Sequence, residues 1–540
     1  MARKKATTRQ SAATTSTTQA SVKQTLTNQF IQVAVSITAL SLSLHVAKDV
    51  LTPLYGGVAT SLYLQKASIS IVLASTMLPS TWRRLSNIQD KLLSTLVCLA
   101  PPAFHYLASL TTRLNDPLFG PVIVYISVLT PITFAATDGL RVLNNNRSQT
   151  LKALSAIGAS VLTSQSQKLW NFIPFTRIIS PSLFLIFVGW IILIVGDTMH
   201  SDRRRKLSYK KFILPILVTV LSLSFPPARI RFLPYTTHNG LLRILSSTPS
   251  ITGRIIVTDD YVHGFRFLRA DHSILGGVWI NPRYMQKMDQ DAEFILDKEG
   301  NKLGDSIYSA FVLQEAVRLQ ERETPHKNAL IIGLGVGIAA QAFMQHGINT
   351  SIIEIDPAVY NAARENFGLP EPAAVYLEDA REFWEDLKKS LSGDGIVAVN
   401  YAGVVGSDSS KSVYLTLKKA FGQCRVFHDL DPSVSKEKLT SDFINLVFFC
   451  SPLSSRSLAF RSAERSDYLS SYLREYILRV LPEREVHEDL ILGSSDKSDN
   501  EDSWVLTDDR NPLGRWQDEG ALDHWKVMRT VLPDYVWASY

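Results

Sequence analysis

The stretch Asn328-Ala329-Leu330-Ile331-Ile332-Gly333-Leu334-Gly335-Val336-Gly337 decides the reading of this 540-residue chain. Its first five residues are a short apolar run of the kind buried as a parallel strand. Three alternating glycines follow at once, and residues 338–346 predict a helix that ends at Gly347. Residues 350–353 predict a second strand, closing on Glu354-Ile355-Asp356-Pro357. Glycines let the chain turn tightly and let a ligand approach the peptide N–H groups of a helix N-terminus. An acid closing the second strand can accept hydrogen bonds from both hydroxyls of a ribose. Glu354 follows Gly337 by 17 residues, close to the gap of about 20 expected for that arrangement.

Downstream, a helix is predicted over 358–367, strands over 375–377 and 396–399, and a helix over 380–389 between them. This alternation implies an α/β, Rossmann-like, doubly wound parallel sheet. Upstream, residues 254–258 and 265–269 read as a hairpin around Asp259-Asp260 and Gly264. The turn-rich run 271–277 leads into a strand at 278–280, and residues 305–319 predict a helix. A small β domain at 245–300 therefore precedes an α/β domain at 301–515. The tail 516–540 carries Trp516, Trp525, Tyr535, Trp537 and Tyr540, which suit packing on the domain or a membrane interface equally.

The first 230 residues have a different composition. They hold 23 Lys+Arg, six Asp and no Glu, a charge of +17; the remainder carries −11, and the two add to the net +6. Apolar runs recur at 30–47, 61–78, 92–110, 118–136, 178–196 and 212–225, with a weaker span at 151–170 that carries Lys152 and Lys168. A bilayer core of about 30 Å takes about 20 helical residues. The fold class expected is thus an α-helical transmembrane region at 28–230, of about six or seven helices, joined to the α/β part. The alternative, a soluble helical bundle, needs a charged outer face. Ser, Thr, Gly and Ala fill many of those positions instead, as helix packing in lipid favours.

Basic residues cluster at the N-terminus, at Arg83-Arg84 with Lys91, at Arg141, Arg147 and Lys152, and at 203–211. A preference for basic loops in the cytosol puts all four clusters there. The route of 212–225 then decides the side on which the second half lies. The Ser/Thr-rich residues 1–27 predict a disordered tail or a transit peptide. The asymmetry argues against nucleic acid as a partner and names the lipid bilayer instead. Three cysteines exclude a disulfide scaffold, and the 11 histidines show no metal-ligand spacing.

Gly333-Leu334-Gly335-Val336-Gly337, Glu354-Ile355-Asp356-Pro357 and Glu378-Asp379-Ala380-Arg381 together resemble the class I S-adenosylmethionine-binding fold. They are most similar to the spermidine/spermine synthase (polyamine aminopropyltransferase) family. Gly253-Arg254-Ile255-Ile256-Val257 resembles that family's small β domain, and Asp305-Ser306-Ile307-Tyr308 its joining segment. The resemblance covers residues 250–510. It implies S-adenosylmethionine or its decarboxylated form as co-substrate, a small-molecule amine or other nucleophile as acceptor, and a possible homodimer. By the same resemblance Gly333, Gly335 and Gly337 shape the cofactor loop. Glu354 holds the ribose, Asp379 accepts from the adenine amino group beside Ala380, and Tyr308 lines the amine site. Tyr308 also reads as a core residue, and Asp356 as a helix cap or a ligand. Asp508-Asp509 before Pro512 reads as a polyamine site or a turn.

Two positions depart from the family pattern. Val336 stands where an acid meets the aminopropyl amine, and Asn400 where a catalytic Asp follows the fourth strand. Transfer to an amine needs that amine neutral, which is the work of a carboxylate base. Asp408, eight residues beyond Asn400, is the remaining candidate. Three readings follow: an aminopropyltransferase, a methyltransferase using intact S-adenosylmethionine, or a non-catalytic membrane sensor or scaffold.

Overall fold

A computed structural model describes residues 2–78, 89–144, 147–173, 180–200, 212–227, 233–237, 240–383, 391, 394–452, 457–493 and 501–540. The chain divides into two compact units, Met1–Arg231 and Phe232–Tyr540. The basic clusters at 83–84 and 203–211 lie outside the described residues.

The first unit is helical: α1 (Ala2–Met77), α2 (Gln89–Thr111), α3 (Phe119–Ala136), α4 (Asp138–Asn144), α5 (Gln149–Leu169), α6 (Pro181–His200) and α7 (Ile213–Ser224). The runs 30–47 and 61–78 fall on the two arms of α1, which breaks at Gly56 (φ 77, ψ 164), where a residue without Cβ takes a left-handed φ freely. Among the described residues, three helices are long and apolar enough to cross a membrane: Gln29–Met77, Gln89–Leu114 and Phe119–Ala136. Pro181–Asp197 and Ile213–Ser224 are shorter apolar helices.

Several polar side chains in these helices bond to the backbone of their own helix. Ser43, Thr52, Thr76, Ser160 and Thr163 donate to the carbonyl four residues back. Between helices, Gln32 donates to Asp90 at 2.7 Å and Tyr55 to Thr111 at 2.8 Å. Close helix approach depends on small residues: a Cβ on Gly189 would lie 2.5 Å from the Cys98 sulfur, and one on Gly120 would meet the Tyr55 ring.

The second unit opens with β1 (Tyr235–Thr237), β2 (Leu242–Ser250), β3 (Gly253–Asp260), β4 (Phe265–Ala270) and β5 (Ser273–Trp279), an antiparallel meander in sequential order. The hairpin expectation holds for β3 and β4, but Asp259 and Asp260 lie inside β3 instead of in the turn. Asp259 is drawn in by the buried Arg266, whose Nε donates to it at 2.6 Å; Asp260 accepts the Val262 and His263 amides that form the turn. The strand expected at 278–280 starts earlier, at Ser273, after Asp271 turns the chain with φ 49.

After the small hairpin β6 (Ile295–Leu296) and β7 (Lys302–Leu303) comes α8 (Ser309–Leu313), extended by a 3-10 turn to Leu319. Then follow β8 (Asn328–Ile332), α9 (Ile338–Gln345), β9 (Asn349–Ile353), α10 (Pro357–Asn366), β10 (Ala374–Tyr376), β11 (Val397–Gly403), α11 (Asp408–Phe421), β12 (Gln423–His428), α12 (Lys436–Ser441) and β13 (Ile444–Ser451). The chain ends with α13 (Tyr472–Arg479), β14 (Glu485–Val486), α14 (Glu488–Leu492), α15 (Leu513–Val531) and α16 (Asp534–Trp537). The helix predicted at 380–389 is described only to Phe383, as a 3-10 turn.

The single doubly wound parallel sheet expected from the sequence is not what forms among the described residues. β10-β9-β8 is a parallel sheet, whereas β11-β13-β12-β14 is a separate antiparallel one. β13, reached from β12 through α12, runs antiparallel between β11 and β12. Cys424 and Cys450 face each other across β12 and β13 and form a disulfide. The antiparallel sheet, the meander, the glycine loop and the start of α9 share one core, with Ile255, Leu268, Val336, Ile338, Phe427, Val447 and Phe449 in a single cluster, while Ile352 of β9 packs in another with Leu334 and Ala363.

The aromatic tail packs on the meander. Trp537 is fully buried, its ring 3.9 Å from the His272 ring, and its Nε1 donates to the Leu532 carbonyl. Arg269, also fully buried, donates to the Ser539 carbonyl at 2.7 Å. Residues 516–540 are therefore part of the second unit's core.

Candidate functional site

All three loop glycines adopt left-handed backbone: φ is 77 at Gly333, 57 at Gly335 and 83 at Gly337. Only glycine takes such conformations without strain. Their surroundings differ. A Cβ on Gly333 would meet nothing within 4 Å, so the backbone there faces open space. A Cβ on Gly335 would lie 2.6 Å from the Leu275 carbonyl of β5, and one on Gly337 would lie 3.0 Å from Leu369. Gly333 thus presents the loop outward, and Gly335 seats it on the meander. Gly337 caps the N-terminus of α9, whose free N–H groups favour an electron-rich ligand.

Two carboxylates at the end of β9 fix this loop. Glu354 is buried; one of its oxygens accepts from the Leu334 amide at 2.7 Å, and the other from the Asp356 amide at 2.9 Å. Burial pushes its carboxyl up, against the pull of the Asp356 and Leu334 amides. Each oxygen keeps a second lone pair, so a ribose contact remains open to Glu354, but its first partners are backbone. Asp356 is a cap. It is wholly buried and accepts from the Ala358 amide at 2.9 Å, the Thr252 amide at 3.1 Å and hydroxyl at 2.6 Å, and the Ser250 hydroxyl at 2.5 Å. Despite burial, these hydroxyl and amide donors hold its carboxyl below the usual range. Of the two expectations for Asp356, the helix cap is the one found, joined to a tie onto the β2–β3 turn.

The other expected residues sit apart from this cluster. Asp379 pairs with Arg381, whose Nε donates to it at 3.0 Å and whose amide does so at the same distance, and Ala380 opens the following 3-10 turn. The Arg381 side-chain bond holds the Asp379 carboxyl down to about 2. Asp408 is exposed in the first turn of α11, which Ser407 caps by accepting from the Ser410 amide, and no hydrogen bond links Asp408 to the glycine loop. Asn400 is exposed on β11 opposite Val447. Asp508 and Asp509 are the exposed central residues of a turn closed by paired Thr507–Arg510 backbone bonds, so of their two readings the turn is the one found. Val336 is buried against Gly276, whose Cβ would come 2.7 Å from it.

Tyr308 caps the N-terminus of α8, edge-on to Phe311. Its hydroxyl is buried with no hydrogen-bond partner among the described residues, and burial pushes it up to about 12. This departs from the reading of a core residue with a satisfied hydroxyl. A further polar group escaped sequence reasoning: His428-Asp429-Leu430-Asp431, where β12 ends. The signal was a charged quartet directly after the apolar stretch Val426-Phe427. Ser309, the residue after Tyr308, donates to the Asp429 carbonyl at 3.0 Å.

No family model matches this chain. Over 343 residues it is 33% identical to the N-terminal histidine N-methyltransferase of Emericella nidulans, a match that covers 55% of this chain and 58% of that protein. The chain thus matches less than two thirds of its relative's length. Among solved structures, a probable spermidine synthase from Corynebacterium glutamicum is similar at 14% identity and a TM-score of 0.29, over 41% of this chain and 84% of that one. Human methyltransferase-like protein 13 in complex with SAH is similar at 16% identity and a TM-score of 0.21, over 36% and 96%. At those TM-scores neither structure bears on the reaction. The relative at 33% identity supports a methyltransferase-like fold in this chain.

The two outer roles of the loop separate by mutation. Gly333→Ala adds a methyl group into open space at a positive φ, costing about 1–2 kcal/mol of fold stability, while it obstructs the loop's ligand face. Gly335→Ala adds a clash with the Leu275 carbonyl and costs about 3 kcal/mol. Thermal unfolding and calorimetric titration with S-adenosylmethionine, run on both variants, should show Gly333→Ala losing more affinity than stability and Gly335→Ala the reverse.

Proposed function

We propose that this protein is an S-adenosylmethionine-dependent methyltransferase whose acceptor is the imidazole of a histidine at a free peptide N-terminus. The observation that carries the reading is the 33% identity, over 343 residues, to an N-terminal histidine N-methyltransferase. The glycine loop suits the co-substrate: left-handed glycines, one opening on free space, clamped by Glu354 beside a helix N-terminus. S-adenosylmethionine supplies a methyl group on a sulfonium sulfur. As the new C–N bond forms, the C–S bond breaks, and sulfur keeps the electron pair.

The acceptor explains the two departures from the aminopropyltransferase pattern. An alkyl amine near pKa 10 is protonated at neutral pH and needs a base, whereas imidazole, with a pKa of about 6.5, already offers a free lone pair. Asn400 in place of a carboxylate is then no handicap. The methylated ring sheds its remaining proton to solvent. Val336 in place of the loop acid removes the partner suited to the amine of the decarboxylated co-substrate. Both residues favour methyl transfer over aminopropyl transfer, and the relative adds no support for the latter. The direct check is mass spectrometry of a short peptide with an N-terminal histidine after incubation with the protein and S-adenosylmethionine. One added methyl on that histidine is expected. Methylthioadenosine release from decarboxylated S-adenosylmethionine and spermidine, without peptide methylation, would reverse the assignment.

We further infer that the first unit is a multi-pass membrane region and that the second unit works on the non-cytosolic side. The apolar helices support the first point, and the Cys424–Cys450 disulfide supports the second, since such bonds persist in oxidising compartments. With the basic loop 203–211 cytosolic, that side requires α7 to cross the membrane. It also requires a supply of S-adenosylmethionine across the membrane. In sealed microsomes the C-terminus should resist protease until detergent is added; digestion without detergent would put the unit in the cytosol.

A further inference from the structure

At the end of β12, the structure leaves a buried carboxylate and a buried phenol each with an unfilled place. One Asp429 oxygen accepts from the Asn445 side chain at 3.0 Å. The other is buried and has no hydrogen-bond partner among the described residues. Burial pushes the Asp429 carboxyl up, opposed by the Asn445 bonds. The Tyr308 hydroxyl is likewise buried and unpartnered. The Ser309 bond to the Asp429 carbonyl holds the two segments side by side. An unmet buried polar atom costs about 1–3 kcal/mol, so two on adjoining segments make a costly arrangement for packing alone.

The neighbouring cation does not fill the gap. Arg484 is fully buried, donates to the Leu430 carbonyl and lies over the Tyr476 ring, but makes no hydrogen bond to Asp429. His428 cannot supply a charge either: burial beside Arg484 lowers its pKa to about 4. Asp431 is occupied by the Tyr476 hydroxyl and by Ser433. Arg484 Nε and Nη2 lack partners among the described residues as well, and its charge already acts on Asp429; what the Asp429 and Tyr308 oxygens lack is a hydrogen-bond donor.

We propose that Asp429 and Tyr308 receive the protonated α-amino group at the N-terminus of the acceptor peptide. An ammonium has three N–H donors and no acceptor, which matches a carboxylate oxygen and a phenol oxygen that both need a donor. A charge-assisted contact to the carboxylate is the stronger of the two. This rests on the acceptor reading above, and it adds the reason why a free N-terminus is required: the α-amino group is anchored here while the imidazole beside it takes the methyl group.

The test measures binding, so it does not depend on turnover. The full-length protein, saturated with S-adenosylhomocysteine, is titrated with a short peptide beginning in histidine and with its N-acetylated twin. Wild type should bind the free peptide at least about tenfold more tightly, a difference of about 1.4 kcal/mol. Tyr308→Phe removes only an unpartnered hydroxyl, so its fold should hold; Asp429→Asn keeps the shape. Each should bring the free peptide's affinity to within a few-fold of the acetylated one's, with S-adenosylhomocysteine affinity unchanged. Equal binding of the two peptides by wild type, no peptide binding at all, or an undiminished preference in both variants would overturn the anchor. Tight, selective binding without any methylation would leave the anchor standing and remove the methyltransferase reading instead.

Discussion

Two carboxylates, two residues apart at the end of β9, carry the organisation of the second unit. Glu354 turns inward and binds the amide of the glycine loop; Asp356 turns the other way and binds the β2–β3 turn. A carboxylate buried without donors would be costly. Here every short contact comes from an N–H or O–H group; the donors outweigh burial at Asp356 and only partly offset it at Glu354. The pair ties together the cofactor loop, the start of α10 and the small β domain, three elements remote from one another in sequence. The loop's conformation is likewise shared: Gly335 and Val336 lean on Leu275 and Gly276 of β5, so the meander is the wall against which the cradle is built.

The sequence made the strand, glycine loop and helix of 328–346 legible, because apolar runs and glycines act locally. It made the terminal acid legible for the same reason. It could not show where the carboxylate oxygens point. Glu354 reads as a ribose ligand by position, yet its first partners are two backbone amides. Asp508-Asp509 reads as a ligand or a turn in a linear string, and the paired backbone bonds of Thr507 and Arg510 make it a turn. The antiparallel run of β13 was hidden because strand direction is set by pairing with β11 and β12, not by residues near it in sequence. Asp429 was missed for a different reason: its significance is an unfilled place, and only coordinates reveal that.

The chemistry and the membrane region make joint sense. On the proposed reading, an acceptor nitrogen that is already neutral needs no base, which fits Asn400, and an intact co-substrate needs no loop acid, which fits Val336. An acceptor presented at a peptide N-terminus suits a domain held at a membrane surface, and the disulfide between β12 and β13 suits an oxidising side of it. The +17 half is then a set of apolar helices with basic segments between them, and the −11 half carries the glycine loop.

Glu354 clamps the Leu334 amide of the glycine loop, the contact on which the proposed co-substrate cradle rests. Glu354→Gln tests it most directly, because the carboxamide keeps the size but can accept at only one end. One of the two backbone amides must then face an NH2 group, a loss of about 1–3 kcal/mol. Calorimetric titration of the folded variant with S-adenosylmethionine should give a dissociation constant raised by about tenfold or more. A constant within about twofold of wild type, which is under 0.5 kcal/mol, would contradict the account.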